Sequence, residues 1–353
     1  MRIRYSVLSA VSVLSAMALL SACGGGTSAS SADDTALVGV DYPRSDTDFW
    51  NSYIKYTPEY AKEFGLSLKT TNSQNEVAKL TANAQTFISQ GVKGLAMAPQ
   101  DTAAIAPTLA QLEAKNIPVV TVDTRPDNGK VAMVVRADNR AYGEKSCQFL
   151  GTKLKGKGKV VMLQGGLDSI NGRDRTEAFN ACMKKNYPGI TVFGEATNWD
   201  GAVAAQKLQT RLTAHPDIKG VYMQSSFALS GTLQVLKQKK LLVPPTDKKH
   251  VFVVSNDGIP QELKSIAEGK IDATVSQPAD LYAKYALHYL KAAMEGKTFK
   301  PGKTDHGSTI IEVRDGLLED QLPAPLVTAD GATYNGVPSL KSTDTSLWGN
   351  NLK

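Results

Sequence analysis

Apolar residues fall in short unbroken blocks, and amphipathic stretches of helical spacing separate them, in regular alternation from Thr35 onward. The blocks at 35–40, 66–70, 94–99 and 117–122 read as buried strands. Between them, 48–64, ended by Gly65, and 76–90, ended by Gly91, read as helices, and a further helix begins near Thr102. Each strand-plus-helix unit takes about 25–30 residues, the length of a right-handed βαβ crossover, which predicts a parallel sheet. The scheme repeats after Arg136-Ala137-Asp138-Asn139, with strands at 160–164, 190–193, 221–224, 251–254 and 273–275 and a helix spanning 172–185. The pattern predicts an α/β protein of two lobes with a cleft between them that closes about a hinge. Ligands of open α/β sheets sit at the carboxyl ends of the strands, so the polar clusters there deserve the first look: Asp41, Pro99-Gln100-Asp101 and Asp123-Thr124.

Before Thr35 the pattern differs. Arg2 and Arg4 precede an uncharged stretch from Ser6 to Leu20, shorter than the ~20 residues a membrane span needs, as in a secretory signal. Its ending, Leu20-Ser21-Ala22-Cys23, resembles a bacterial lipobox, in which the cysteine thiol accepts a diacylglyceryl group. Residues 1–22 are then a lipoprotein signal peptide, Cys23 is the lipidation site, and 23–34 is a flexible Gly/Ser/Ala/Thr tether. The alternative is a plain signal peptide with a chance cysteine.

Composition narrows the class. With 353 residues, 42% apolar and only 3 Cys, the chain is neither disordered nor a disulfide scaffold. The net charge of +6 contracts once Arg2 and Arg4 leave with the signal, which leaves 38 basic side chains against 34 acidic. No run of five Lys/Arg occurs, so neither nucleic acid nor another polyanion is an expected partner. There is no G-x-x-x-x-G-K-[ST], H-E-x-x-H, C-x-x-C or G-x-S-x-G, and we expect no cofactor, no metal and no catalysis. Gln164-Gly165-Gly166-Leu167 matches half a dinucleotide fingerprint but lacks its third glycine, and reads better as a turn making room for a ligand or a helix.

The strand ends instead carry groups suited to sugars. Hydroxyls both donate and accept, and sugar rings have apolar C–H faces, so a site combines planar polar groups with aromatic rings. Candidates are Asp46, Phe49 and Trp50; Asp123 and Arg125; Arg173; Trp199; Asn256 and Asp257; and Gln277. Phe49 and Trp50 also suit a helix core stripe, yet adjacent rings cannot share one stripe, so at least one is expected to face the cleft. Asp257 and Gln277 equally suit caps or turns.

Asp48-Phe49-Trp50, Asn75, Gly91-Val92-Lys93-Gly94-Leu95, Ile117-Pro118-Val119-Val120-Thr121-Val122-Asp123 and Ala137-Asp138-Asn139 follow in order. Gln164-Gly165, Arg173-Asp174-Arg175-Thr176-Glu177-Ala178-Phe179, Leu212-Thr213-Ala214-His215-Pro216-Asp217, Asn256-Asp257-Gly258 and Ala273-Thr274-Val275-Ser276-Gln277-Pro278 continue the series. In order and spacing, over 35–311, these segments resemble the periplasmic sugar-binding proteins of the ribose type, substrate-binding subunits of ABC importers. The resemblance implies the type I periplasmic-binding-protein fold, two Rossmann-like lobes joined by a multi-crossover hinge. It implies an N-terminal lobe of 35–138 with 277–308, a C-terminal lobe of 139–276 with 309–322, and an extension, 323–353, packed on the lobes. By position it carries ring stacking to Phe49, Trp50 and Trp199, hydroxyl binding to Asp123, Arg173 and Asp257, and a hinge amide to Gln277. Asp46 stands where the first loop contributes a polar contact, with one extra residue in that loop.

Two departures bear on the ligand. Gln224-Ser225-Ser226 replaces a common Gln-Asn-Asp, with Ser225 retained as a candidate contact, and Ala98 replaces a common Asn before Pro99. The loss of two amide contacts points away from ribose and towards a larger or differently substituted pentose, hexose or polyol. The implied function is that of an exported, monomeric, lipid-anchored binding protein delivering its ligand to ABC permease subunits. Alternatives are a sensor presenting a sugar or autoinducer to a membrane receptor, and an exported sugar-active enzyme. Regulators sharing this fold carry a helix-turn-helix of about 60 residues at the N-terminus, where this chain has signal and tether.

Cys147 and Cys182 lie on helices flanking the strand at 160–164, and in an oxidising compartment form either a disulfide or two buried thiols. In the tail, Pro323, Pro325, Gly331, Gly336 and Pro338 preclude long helices. Leu347-Trp348 is expected to clasp a lobe or the hinge, with a transporter contact as the alternative.

Overall fold

The computed structural model describes residues 35–352; the expected signal at 1–22, the tether at 23–34 and the lipidation site Cys23 lie outside them. The first lobe runs β1 (Ala36–Tyr42), α1 (Asp48–Glu63), β2 (Leu66–Asn72), α2 (Val77–Ser89), β3 (Gly94–Met97), α3 (Ala106–Ala114), β4 (Val119–Val122) and β5 (Met133–Ala137). The chain then crosses into a second lobe through α4 (Asn139–Lys153), β6 (Lys157–Gln164), α5 (Ile170–Asn186), β7 (Gly189–Ala196) and α6 (Gly201–Ala214). That lobe continues with β8 (Gly220–Met223), α7 (Leu229–Gln238), β9 (Phe252–Asp257), α8 (Pro260–Ala267) and β10 (Ala273–Ser276). A second crossing returns to the first lobe with α9 (Ala279–Met294), β11 (Gly302–Lys303), β12 (Thr309–Arg314) and β13 (Leu317–Leu322). A third delivers β14 (Leu326–Thr328), β15 (Ser339–Lys341) and α10 (Trp348–Asn351).

The central strands take the same order in both sheets, β2-β1-β3-β4-β5 in one and β7-β6-β8-β9-β10 in the other, all parallel. Val38, Val40, Val120, Val122, Val160, Val161, Val253 and Val254 are buried within them, as expected of strands covered on both faces by helices. The order places a topological switch beside β1 and β6, and the carboxyl ends of both sheets border the cleft.

One expected boundary is corrected. Residues 309–322, assigned by the resemblance to the C-terminal lobe, belong to the first sheet, where β13 runs parallel to β5 with Glu319 opposite Val134 and Leu322 opposite Ala137. The pairing occupies the open edge of β5 and brings Glu319 within 2.9 Å of Arg125. Beyond Pro323-Ala324-Pro325 the extension does more than pack on the lobes: β14 joins β10 antiparallel and β15 joins β14, so both extend the second sheet.

A disulfide joins Cys147 of α4 to Cys182 of α5, with the Cα atoms 6.2 Å apart. The helices meet so closely that a Cβ at Gly143 would stand 2.7 Å from the Phe179 amide nitrogen, a place only glycine can fill. Among the described residues no helix is long and apolar enough to cross a membrane.

Candidate ligand-binding site

Strand ends from both lobes converge on one cavity of about 40 Å³. The first lobe contributes Arg44 and Thr47 from the loop before α1, Phe49 and Trp50 from α1, Gln100 after β3 and Asp123 after β4. Facing them are Asn171 and Arg175 of α5, Trp199 after β7, Ser225 and Phe227 after β8, Asp257 at the end of β9, and Gln277 at the second crossing. Arg44, Thr47, Trp199 and Phe227 also line a wider groove of about 950 Å³ at the mouth.

Backbone geometry presents these groups. Asp123, Trp199 and Asp257 have φ of 64°, 60° and 118°, the region that favours glycine, so the chain turns sharply where each side chain meets the cavity. Room for the Trp199 indole comes from Gly165, where a Cβ would overlap the ring, and a Cβ at Gly172 would overlap the Gly166 carbonyl oxygen. The glycine-rich turn after β6 thus makes space for a ring and a helix. Both Phe49 and Trp50 are buried and both line the cavity, their rings packed edge to face at 5.2 Å. Core and cleft are the same surface at that point.

Arg175 is the central cation. Its Nε donates to Asn139 Oδ1 at 2.6 Å, Nη2 to Gln277 Oε1 at 3.0 Å and Nη1 to the Gln224 carbonyl, and the guanidinium lies 4.8 Å from the Tyr142 ring centroid and 5.8 Å from that of Trp199. Asp257 Oδ2 accepts from Ser225 Oγ and Ser226 Oγ, each at 2.6 Å, and from the Ser226 amide at 2.8 Å, which leaves Oδ1 for a ligand. Asp123 Oδ2 accepts from Asn171 Nδ2 at 2.8 Å, and Asn171 Oδ1 accepts in turn from Arg136 Nη2 at 2.7 Å. Burial pushes the Asp123 carboxyl up to about 6, against the opposing pull of Arg175 and Arg136. Burial also raises Asp257, again against Arg175. Beneath the Asp257 turn, Glu262 accepts from the Gly258 amide at 2.7 Å, and burial, with the charge of Asp257, pushes it up to about 8.

The cavity gathers seven of the sequence candidates: Phe49, Trp50, Asp123, Trp199, Ser225, Asp257 and Gln277. Four stand elsewhere. Arg173 reaches the rim, where Nη2 contacts Asp127 Oδ1 at 2.7 Å and Thr102 Oγ1 at 3.2 Å across the cleft. Two residues along a helix point to different sides, so the inward arginine of α5 is Arg175, in line with Asn171, Ala178, Phe179 and Cys182. That stripe was the available signal. Asp46 is exposed, lines the wider groove at the mouth and is ion-paired to Arg44, which reaches the inner cavity. Arg125 pairs with Glu319 within the first lobe. Asn256 lies under the site, donating to Tyr222 Oη at 3.1 Å and to the Gln224 carbonyl at 3.0 Å. Gln100, two residues beyond Ala98, returns an amide to the lining, so that departure costs the site less than the sequence suggests.

A two-lobed α/β protein whose strand ends enclose a polar and aromatic cavity belongs among the hinged binding proteins. Residues 38–298 match the family described as periplasmic binding protein domain, and the chain belongs to it. The family is extracytoplasmic. The chain is 27% identical over 260 residues to the ribose import binding protein of Bacillus subtilis, covering 74% of this chain and 82% of that protein. It is 28% identical over 299 residues to the xylitol-binding protein of Mycolicibacterium smegmatis, covering 84% and 82%. Among solved structures, an ABC transporter solute binding protein from Mycobacterium smegmatis with bound glycerol superposes with a TM-score of 0.69 at 28% identity, covering 75% of this chain and 90% of that one.

Proposed function

We propose that this protein captures a monosaccharide or polyol between its lobes and delivers it to an ABC importer, as a binding protein without turnover. One observation carries the reading: two buried atoms of cavity-lining residues lack a protein partner, the acceptor Asp123 Oδ1 and the donor Trp199 Nε1. A hydroxyl answers both kinds. The charges agree, since Asp123 and Asp257 lie beside Arg175 while Arg44 is paired with Asp46, so each charge of the lining has a neighbour of opposite sign and a neutral ligand suits the site. The Trp50 and Trp199 indoles in the lining suit a ligand with apolar C–H groups. A ligand that contacts both lobes favours the closed form by its differential affinity for it.

Export under a signal at 1–22 and anchoring through a lipidated Cys23 complete the proposal, resting on the lipobox pattern in the sequence. The protein then acts as a monomer beside its permease.

The test is a thermal-shift panel of pentoses, hexoses, inositols and alditols, followed by calorimetry. At least one member is expected to raise the unfolding midpoint. Arg175→Ala removes a buried charged hydrogen-bonding group, which costs about 2–5 kcal/mol of binding, or roughly 30-fold or more in affinity. A panel without a single shift sinks the proposal, as does Arg175→Ala binding with unchanged affinity while folded.

A further inference from the structure

The Asp257-Gly258 turn is held by a residue outside the matched domain. The family match ends at residue 298, and the chain then continues to α10, where Trp348 is buried. Its indole Nε1 donates to the Asp257 carbonyl oxygen at 3.2 Å, an oxygen that also accepts from the Gln277 amide at 2.9 Å. Asp257 and Gln277 both line the cavity. On the opposite lobe, the Trp348 ring meets Phe49, another lining residue, edge to face at 6.2 Å. The next residue fixes the approach, because a Cβ at Gly349 would overlap the Gly258 carbonyl oxygen.

We infer that Trp348 is a positioning residue for the ligand site, a strap that fixes the Asp257 turn and couples it across the hinge to Phe49. The inference rests on the proposed binding function for its effect on affinity, but not for its effect on the turn. Asp257 holds a φ of 118°, a conformation that costs a non-glycine residue on the order of 1–3 kcal/mol and persists only where neighbours impose it. The side-chain bonds from Ser225 and Ser226, the carbonyl bonds to Gln277 and Trp348 and the Gly258 bond to Glu262 supply that constraint, and of these Trp348 gives the one hydrogen bond from the tail among the described residues. Removing the indole N–H loosens the turn without orphaning the carbonyl, since the Gln277 amide remains.

The test uses the full chain with Trp348→Phe, which keeps an aromatic ring and loses the N–H, and with Gly349→Ala, which lifts the strap. Hydrogen exchange is read on peptides covering Gly258 and Gln277, and affinity on a binding member of the panel. One net hydrogen bond corresponds to about a three- to tenfold change, so exchange at these amides is expected to quicken and affinity to weaken by that factor in Trp348→Phe. Exchange elsewhere should stay as in the natural protein. Unchanged exchange at both amides overturns the inference, and so does uniform acceleration through the molecule, which marks a merely structural tail. If no sugar or polyol binds, exchange still decides the strap, and only the functional proposal falls.

Discussion

At the scale of single residues, Asp123 is one of the groups that make the site respond to pH, beside Asp257 and the Glu262 beneath it. The Asp123 carboxyl, pushed up to about 6 by burial, is ionised at neutral pH, and the ionised form supplies the free acceptor for a hydroxyl. Binding therefore favours loss of the proton, and affinity should fall as pH drops through that value. Between pH 7 and pH 5 the ionised fraction falls about tenfold, and calorimetry at the two values should find the dissociation constant raised by the same factor. Asp123→Asn should bind weakly at both, and a pH-independent affinity in the natural protein would remove Asp123 from the contacts. Residues like Asp123, Asp257 and Gln277 were legible in the sequence because a strand end fixes where a side chain goes. Arg175 was not, since Arg173 and Arg175 flank one aspartate within a single helical turn. Only the spacing of Asn171, Ala178, Phe179 and Cys182 tells them apart. Arg44 was hidden by a loop, where no periodicity links position to direction.

At the scale of elements, the α4–α5 pair is closely packed, fastened by Cys147–Cys182 and by the absence of a side chain at Gly143. The bridge joins residues 35 apart in sequence, and such cross-links contribute about 2–4 kcal/mol, chiefly by restricting the unfolded chain. Urea unfolding under reducing conditions should show a loss of that size, with ligand affinity kept within twofold, because α5 presents Asn171 and Arg175 to the cavity and Cys182 further along. Equal stability with and without reductant would show that the bridge adds nothing. Strands and helices of the two repeated units were legible from their alternation of apolar blocks and amphipathic stretches. The ownership of 309–322 was not. A strand that arrives after a long detour bears no mark of the sheet it joins, and β13 finds its place through a long-range parallel pairing with β5.

At the scale of the molecule, an arginine ties each rim of the cleft: Arg173 reaches Asp127 at 2.7 Å and Thr102 at 3.2 Å on one side, where Thr102 also donates to the Asp168 carbonyl, and Arg44 reaches the Trp199 carbonyl at 3.3 Å on the other. Half-exposed pairs of this kind contribute only about 0–1 kcal/mol each. Arg173→Ala should thus weaken ligand binding by less than about fivefold. It should also raise the radius of gyration of the ligand-free protein in small-angle scattering, with saturating ligand restoring compactness. A loss as severe as that of Arg175→Ala would place Arg173 back among the contacts. The three crossings have a different kind of consequence, one of timing. The first sheet receives β11 to β13 only after the second lobe has been traversed, and the second sheet receives β14 and β15 later still. A chain emerging N-terminus first from a ribosome or a translocation pore holds no finished lobe until Leu322 has followed, and no second one until Lys341 has. Long after its first strands are free, it remains a thread that a narrow channel can pass.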